Sequence, residues 1–356
     1  MPGSKSQKYV SVQVLRGLAA MLVVLLHSME SARDHIGSKL VLYSGAAGVD
    51  IFFAISGFIM VVTTAHSWGA PGAGAAFIKR RLIRLVPLYW IATTFRLLLL
   101  ISLPHLVRLT KLHLWHTVAS FLFIPAWNFE HLPVPVLPVG WTLSYELFFY
   151  VLFAVGLVLS DRPIRWARGL LLLSIAIGYF RGPSWGAPTV ILNSVLLEFI
   201  FGMAIGYATL SGFRVNAIFA KALFVVSLLA LLVTDIGRAG SPPRVIVWGI
   251  PAAFILLASV SLEERVREPF AGLPTTLGDA SYAIYLFHIF TIEGVWVVLD
   301  KLRLTPRLGA VIPILICTAL SAFVGVYVHY YIERPSTDFL RSKLRSRRLR
   351  QAPSVA

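Results

Sequence analysis

Cysteine is nearly absent: one residue, Cys317, in an apolar run, among 356. That excludes an internal disulfide and any metal cluster built on thiolates. Acidic residues are also scarce, 16 Asp and Glu against 32 Lys and Arg, for a formal net charge of +16. Charged residues of all kinds make up only 13% of the chain, well below the roughly 25% of an average soluble protein. The chain is instead 57% hydrophobic, with a mean hydropathy of +0.78, which identifies a polytopic membrane protein. In such a chain a basic excess reports topology, and no nucleic acid partner is expected. Lys5 and Lys8 ahead of an apolar run imitate a signal peptide, but Arg16 interrupts that run and no small-residue cleavage site follows cleanly. The first helix is therefore read as retained.

Apolar runs of about 17 to 25 residues are long enough to span a bilayer. Candidates fall at 10–28, 45–65, 85–103, 139–159, 169–180, 195–210, 222–236, 245–262, 277–299 and 308–332. The fifth and seventh are short, which fits tilted, extended or partly re-entrant segments. The expectation is an all-α integral membrane protein with about ten transmembrane helices in one bundle. It forms a single membrane domain over 1–336 and ends in a basic cytoplasmic tail over 337–356. An even number of spans puts both termini on one side. Placing that side in the cytoplasm leaves twenty Lys and Arg in inner segments against ten in outer ones, with Arg16 and Arg96 inside helices. The tail reads as a positive-inside anchor near anionic lipid.

The first run, YVSVQVLRGLAAMLVVLLHSME at 9–30, carries two residues a membrane helix should avoid, Arg16 and His27. Eleven helical positions turn through about 1100°, only about 20° beyond three full turns, and rise roughly 16 Å. Both side chains therefore lie on one stripe. A charge at the centre of a spanning helix costs about 2.5–3.5 kcal/mol, and each Leu or Val returns about 0.3–0.6 kcal/mol. The Leu and Val residues between positions 10 and 26 offset that cost, but Arg16 takes back about half of their contribution. Alone, either residue fits a snorkelling or interfacial position. Together on one stripe they mark a polar path inside a bundle.

Four further stretches carry polar chemistry. GAAGVDIFFAISGF at 45–58 has a small-residue face and one exception, Asp50. Asp50 is read as a partner for Arg16 or His27, or as an outer-interface residue. FIKRRLIRLVPLYW at 77–90 is a short basic connection in which Arg81 and Arg84, three apart, share a helix face. Two guanidinium forks suit a phosphate or diphosphate, although positive-inside flanking explains the pair equally well. The long outer segment 105–138, with Trp115 and Trp127, is either an interfacial belt or a platform for a sugar ring. It leads into GWTLSYELFFY at 140–150, where Glu146 lies about one turn inside an apolar helix and needs a partner or a wet cavity. Trp141, Ser144 and Glu146 fit a structural hydrogen-bonding role nearly as well as a catalytic one. In LGDASYAIYLFHIF at 277–290, Ser281, Tyr285 and His288 follow i, i+4, i+7 spacing. With Tyr282 they are either a bonded core stripe or a substrate lining.

Taken together, LRGLAAMLVVLLH, GVDIFFAISGF, RLIR ahead of PLYW, GWTLSYELFFY, LGDASYAIYLFH and the late ERP occur in one order between residue 9 and about 336. In these pieces and their order the chain resembles the acyltransferase-3 family of integral membrane acyltransferases, especially bacterial exopolysaccharide and O-antigen O-acetyltransferases in their stand-alone form. The resemblance implies a multi-pass protein of the bacterial inner membrane. It implies an acyl-CoA donor, usually acetyl-CoA, on the cytoplasmic side and a carbohydrate or lipid-linked glycan hydroxyl on the other, with no metal. It makes His27 the essential histidine, Arg16 its paired arginine, and Arg81 and Arg84 the CoA entrance, with Lys79 and Arg80 beside them.

On this reading His27 is the general base or an acyl-imidazole relay, and Arg16, always protonated, stabilises the oxyanion or the thioester carbonyl. Asp50 or Glu146 orients His27, and Trp141, Ser144, Tyr282, Tyr285 and His288 bind substrate. A different class of function fits the same polar residues: a transporter or flippase for a lipid-linked sugar, with Arg16, Asp50, Glu146 and His288 along its path. A third is a membrane scaffold for a polysaccharide synthase, in which none of them matters individually. The RLIR pair discriminates, because a flippase needs no cytosolic CoA site.

Overall fold

A computed structural model of the chain describes residues 9–102, 113–234, 243–266, 270, 272–305 and 307–351, with side chains to residue 344. Lys5 and Lys8, the part of the long outer segment over 103–112, Arg238, Arg267 and residues 352–356 of the tail lie outside the described residues.

Among the described residues all regular structure is helical. In chain order the α-helices are α1 (Val10–Ile36), α2 (Ala47–Thr64), α3 (Ala73–Ser102), α4 (Leu114–Phe121), α5 (Trp141–Leu159), α6 (Pro163–Tyr179) and α7 (Leu196–Leu210). They continue with α8 (Ala217–Val233), α9 (Ile250–Ser261), α10 (Glu263–Val266), α11 (Leu273–Asp279), α12 (Ser281–Lys301), α13 (Val311–Val328) and α14 (Arg334–Gln351). Each of the ten apolar runs is helical over most of its described residues. Six helical segments are long and apolar enough to cross a membrane: those of α1, α2, α3, α5, α12, and α13 with its continuation. Leu196–Leu210, Ala217–Val233 and Val245–Ser261 are shorter apolar helices.

The short runs lengthen for local reasons. α6 begins at Pro163, whose missing N–H suits a first helical position. α8 begins at Ala217 because the Asn216 side chain accepts the Phe219 N–H at 2.9 Å. The basic stretch expected as a connection is helix instead: α3 starts at Ala73 and runs through Lys79 to Arg84 and past Pro87. Ala, Arg, Lys and Leu are strong helix formers, and arginine stems can lie along apolar neighbours with their charges outward.

Two glycine contacts set the register of the bundle. α2 and α7 meet at Gly57 and Gly202; a methyl group on Gly202 would overlap the Ala54 carbonyl oxygen. α1 and α11 meet at Gly17 and Gly278, where a methyl group on Gly278 would overlap the Gln13 carbonyl oxygen. α11 passes into α12 with only Ala280 between them, and the Ile284 N–H still bonds Ala280 O at 2.9 Å. Parallel helices that touch at residues 17 and 278 rise together. Ten residues further on they bring His27 beside His288.

The start of α1 is capped from a distance. The Glu263 carboxylate accepts the N–H groups of Val10 and Ser11 at 2.8 and 2.9 Å and the Ser11 hydroxyl at 2.5 Å. It satisfies donors that a helix start leaves open and places negative charge at the positive end of the helix. Tyr9 and Arg341 line the same cleft, so the first described residues and the C-terminal helix share one end of the bundle.

Candidate active site

Part of the polar set, Arg16, Arg81, Arg84, Glu146, Ser281, Tyr282 and Tyr285, lines two adjoining cavities. The inner chamber has a volume of about 100 Å³ and lies between α1, α2, α3, α5 and α12. A wider vestibule of about 1850 Å³, counting its open mouth, lies at the end of the bundle that carries the start of α1. Arg16, Ile59, Arg81 and Arg84 line both cavities, so three arginines lie where the cavities meet.

Each arginine reaches the junction for a stated reason. Arg16 is about two turns into α1 and lines both cavities. α3 continues helically through Arg81 and Arg84, so their three-residue spacing aims both at one side. Arg81 donates to Thr63 Oγ1 at 3.1 Å and lies over the Phe77 and Tyr150 rings, 5.6 and 5.8 Å from their centroids. These contacts orient its guanidinium without neutralising it. Lys79 and Arg80 are exposed and line neither cavity.

Glu146 is the chamber's carboxylate. It accepts from the Ser56 hydroxyl at 3.3 Å and, at short range, from the Tyr150 hydroxyl. Tyr285 lines the chamber, and its hydroxyl bonds Thr142 Oγ1 at 3.0 Å and Val139 O at 3.1 Å. Tyr282 also lines the chamber and donates to Leu85 O at 2.6 Å, tying α12 to α3.

Beyond Tyr285, and outside the chamber lining, is a pair of histidines. His288 is fully buried. Its Nδ1–H donates to Tyr285 O at 2.8 Å, which leaves Nε2 as a buried lone pair with no hydrogen-bond partner. His27 donates its Nδ1–H to Glu30 Oε2 at 2.9 Å, so its Nε2 also carries the lone pair. A carboxylate holding the far side of an imidazole in one tautomer is the arrangement a general base or nucleophile requires. Glu30 is the carboxylate that meets the His27 ring, whereas Asp50 bonds Arg244 and Glu146 bonds Ser56 and Tyr150.

Asp50 is fully buried and paired elsewhere. Arg244, just ahead of Val245, donates to Asp50 through Nε at 3.0 Å and through its terminal nitrogen at 2.7 Å. Arg244 also lies over the rings of Trp141 and Trp248, at 5.9 and 5.0 Å. Trp141 thus belongs to this Arg244 cluster and lies outside the chamber lining, as does buried Ser144. Glu30, Thr142, Tyr150 and Arg244 were not read as site residues from the sequence. Two of them had a local signal: Glu30 lies three residues after His27, and Tyr150 four residues after Glu146, each pair on one helix. Among the described residues no group of three or more His, Cys, Asp or Glu is placed to hold a metal ion.

The model of the acyltransferase domain matches residues 9–331. The chain belongs to the acyltransferase-3 family. It is similar to the exopolysaccharide production protein ExoZ of Rhizobium meliloti (strain 1021), 34% identical over 319 residues that cover 88% of this chain and 94% of that protein. It also resembles protein 2 in the picA locus of Rhizobium radiobacter, 34% identical over 101 residues, 26% of this chain and 46% of that one. No solved structure matches the chain. Family membership selects an acyltransferase over the transporter and scaffold readings, and with the apolar helices it makes the chain a multi-pass membrane enzyme.

Proposed function

We propose that this enzyme transfers an acetyl group from cytoplasmic acetyl-CoA to a hydroxyl of an exopolysaccharide or its lipid-linked precursor at the outer face of the bacterial inner membrane. Both termini are cytoplasmic, ten helices cross the membrane as one domain over 1–336, and the basic segment 337–356 stays inside. The observation that carries this reading is the continuity of two cavities through Arg16, Arg81 and Arg84. A wide basic mouth leading to a narrow, mostly apolar chamber matches a donor with a phosphorylated head and a slender thioester arm. The name of the ExoZ relative supports the acceptor class.

In this mechanism the donor's diphosphate bonds Arg81 and Arg84, and the pantetheine arm enters the chamber past Arg16. The thioester carbonyl lies toward Tyr285. His27 Nε2 takes the proton of the acceptor hydroxyl as its oxygen attacks the thioester carbon, and the imidazolium that forms is stabilised by the Glu30 carboxylate. Arg16 places a fixed positive charge on the donor path. The C–S bond breaks, and coenzyme A leaves through the vestibule after its thiolate takes up the proton from His27.

The test needs no knowledge of the acceptor. Calorimetry of the purified protein in detergent with acetyl-CoA should show binding that an Arg81→Ala/Arg84→Ala variant loses while remaining folded. Absence of binding in the parent protein would remove the acyl-CoA donor from the reading.

A further inference from the structure

The vestibule has a wall that the donor's diphosphate and thioester arm do not use. α13 ends in a π-helical turn, His329–Glu333, and α14 starts directly at Arg334. Such turns interrupt the regular hydrogen-bond ladder and are frequent at functional sites. Here the turn is held by His329 Nδ1 and Glu333 Oε2 at 2.7 Å, both side chains largely buried. Tyr330, Arg334, Thr337 and Arg341 all line the vestibule, and their spacing of i, i+4, i+7 and i+11 is one continuous helix face. A segment that would be a solvated anchor if it merely left the membrane instead lies along the cavity.

The charges on that face are available. Arg334 and Arg341 are about two-thirds exposed, and each reaches the same carboxylate, Asp338, only loosely, at 4.0 and 3.8 Å. Glu333 is occupied by His329. Two guanidinium groups share one acid, so the face carries net positive charge, and the Tyr330 ring, nearly half exposed, lies beside it.

We infer that α14 and the π turn before it form the subsite for the 3′-phosphorylated adenosine of the donor, with Arg334 and Arg341 on the 3′-phosphate and Tyr330 against the base. The inference rests on the acyl-CoA reading above. Once the arm fills the chamber and the diphosphate lies at the Arg81 and Arg84 junction, the part of the donor left is the phosphorylated nucleoside, and the adjoining space is the vestibule that α14 borders. Arginine suits this role because its fork presents parallel N–H donors to phosphate oxygens.

The test compares acetyl-CoA with acetyl-dephospho-CoA, which lacks only the 3′-phosphate, by calorimetry on the full chain in nanodiscs. The parent should prefer acetyl-CoA by roughly tenfold, and an Arg334→Ala/Arg341→Ala variant should bind both donors equally, at the parent's affinity for the dephospho form. Asp338→Asn, which frees both guanidiniums, should widen the preference. If the double variant keeps the parent's preference, α14 is not the subsite. Equal weakening of both donors, seen only with anionic lipid, would make α14 a surface anchor and overturn the inference. If the parent binds neither donor, the acyl-CoA reading itself falls, an outcome distinct from the other two.

Discussion

His27 and His288 stack across α1 and α12, with ring centroids 5.2 Å apart and planes 23° from parallel. Each donates its Nδ1–H to a fixed acceptor, Glu30 for one and Tyr285 O for the other, so both rings keep Nε2 as a lone pair. The two rings differ in what holds them: a side-chain carboxylate for His27 and a backbone carbonyl for His288.

Glu30 should act through His27 and not through folding, since about a third of its side chain is exposed. Glu30→Ala is expected to lower the turnover of acyl transfer roughly a hundredfold, and Glu30→Gln, which can still accept the Nδ1–H, roughly tenfold. Donor affinity by calorimetry should be unchanged in both. Turnover at the parent's level in Glu30→Ala would leave His27 without an orienting role for this acid.

His288 holds a buried nitrogen with no partner, a condition that costs about 1–3 kcal/mol. His288→Phe keeps an aromatic ring against His27 and removes the unpaired nitrogen. The expected result is a higher melting temperature with a large loss of transfer, the trade that active sites show when stability and function pull apart. Full activity in this variant would make His288 a packing residue only.

The positions of the ten apolar segments, the shared stripe of Arg16 and His27, and the common face of Arg81 and Arg84 were all legible in the sequence, because each is a property of one helix and its 3.6-residue period. What touches what across helices was not. Asp50 looked available to Arg16 or His27, yet its partner lies 194 positions away at Arg244. The basic stretch at 77–90 reads as a connection because charge density outweighs the helix propensity of the same residues; the structure follows the propensity. The histidine pairing did leave a trace: Gly17 precedes His27 by ten residues, and Gly278 precedes His288 by ten. That spacing becomes informative only once the two helices are known to be parallel neighbours, which no local pattern states.

Gly278 tests that register directly. A methyl group there would overlap the Gln13 carbonyl oxygen, a backbone atom that cannot turn aside. Gly278→Ala should force α11 away from α1 and lower stability by about 1–3 kcal/mol, read as a fall in melting temperature in detergent. Because the same contact brings the histidines together, transfer should fall further than the lost folded fraction accounts for.

Tyr285 lines the chamber, and its ring centroid lies 6.0 Å from that of His288. Tyr285→Phe removes the hydroxyl that bonds Thr142 and Val139 O and leaves the ring in place, while Thr142 keeps its own bond to Val139 O at 3.1 Å. Loss of this hydrogen-bonded hydroxyl should let water reach the thioester more readily. The expected signature is faster hydrolysis of bound acetyl-CoA without acceptor, followed as thiol release. A hydrolysis rate equal to the parent's would mean that the hydroxyl is not the barrier.

The Asp50 and Arg244 pair makes a claim about stability that is separable from the chemistry. Asp50 has no exposure, and its two oxygens are met by Nε and a terminal nitrogen of one guanidinium. Removing one partner strands the other: Arg244→Met leaves a buried carboxylate and should cost about 3–5 kcal/mol. Removing both, as Asp50→Leu/Arg244→Met, eliminates the desolvation of two charges along with their attraction, and such replacements are often neutral or stabilising. The melting temperature should therefore fall in the single variant and recover in the double one. Acetyl-CoA affinity should stay at the parent's level in the double variant, since neither residue lines the chamber junction. A double variant as unstable as the single one would show that the stacking of Arg244 over Trp141 and Trp248, and not the ion pair, is what the cluster contributes to the fold.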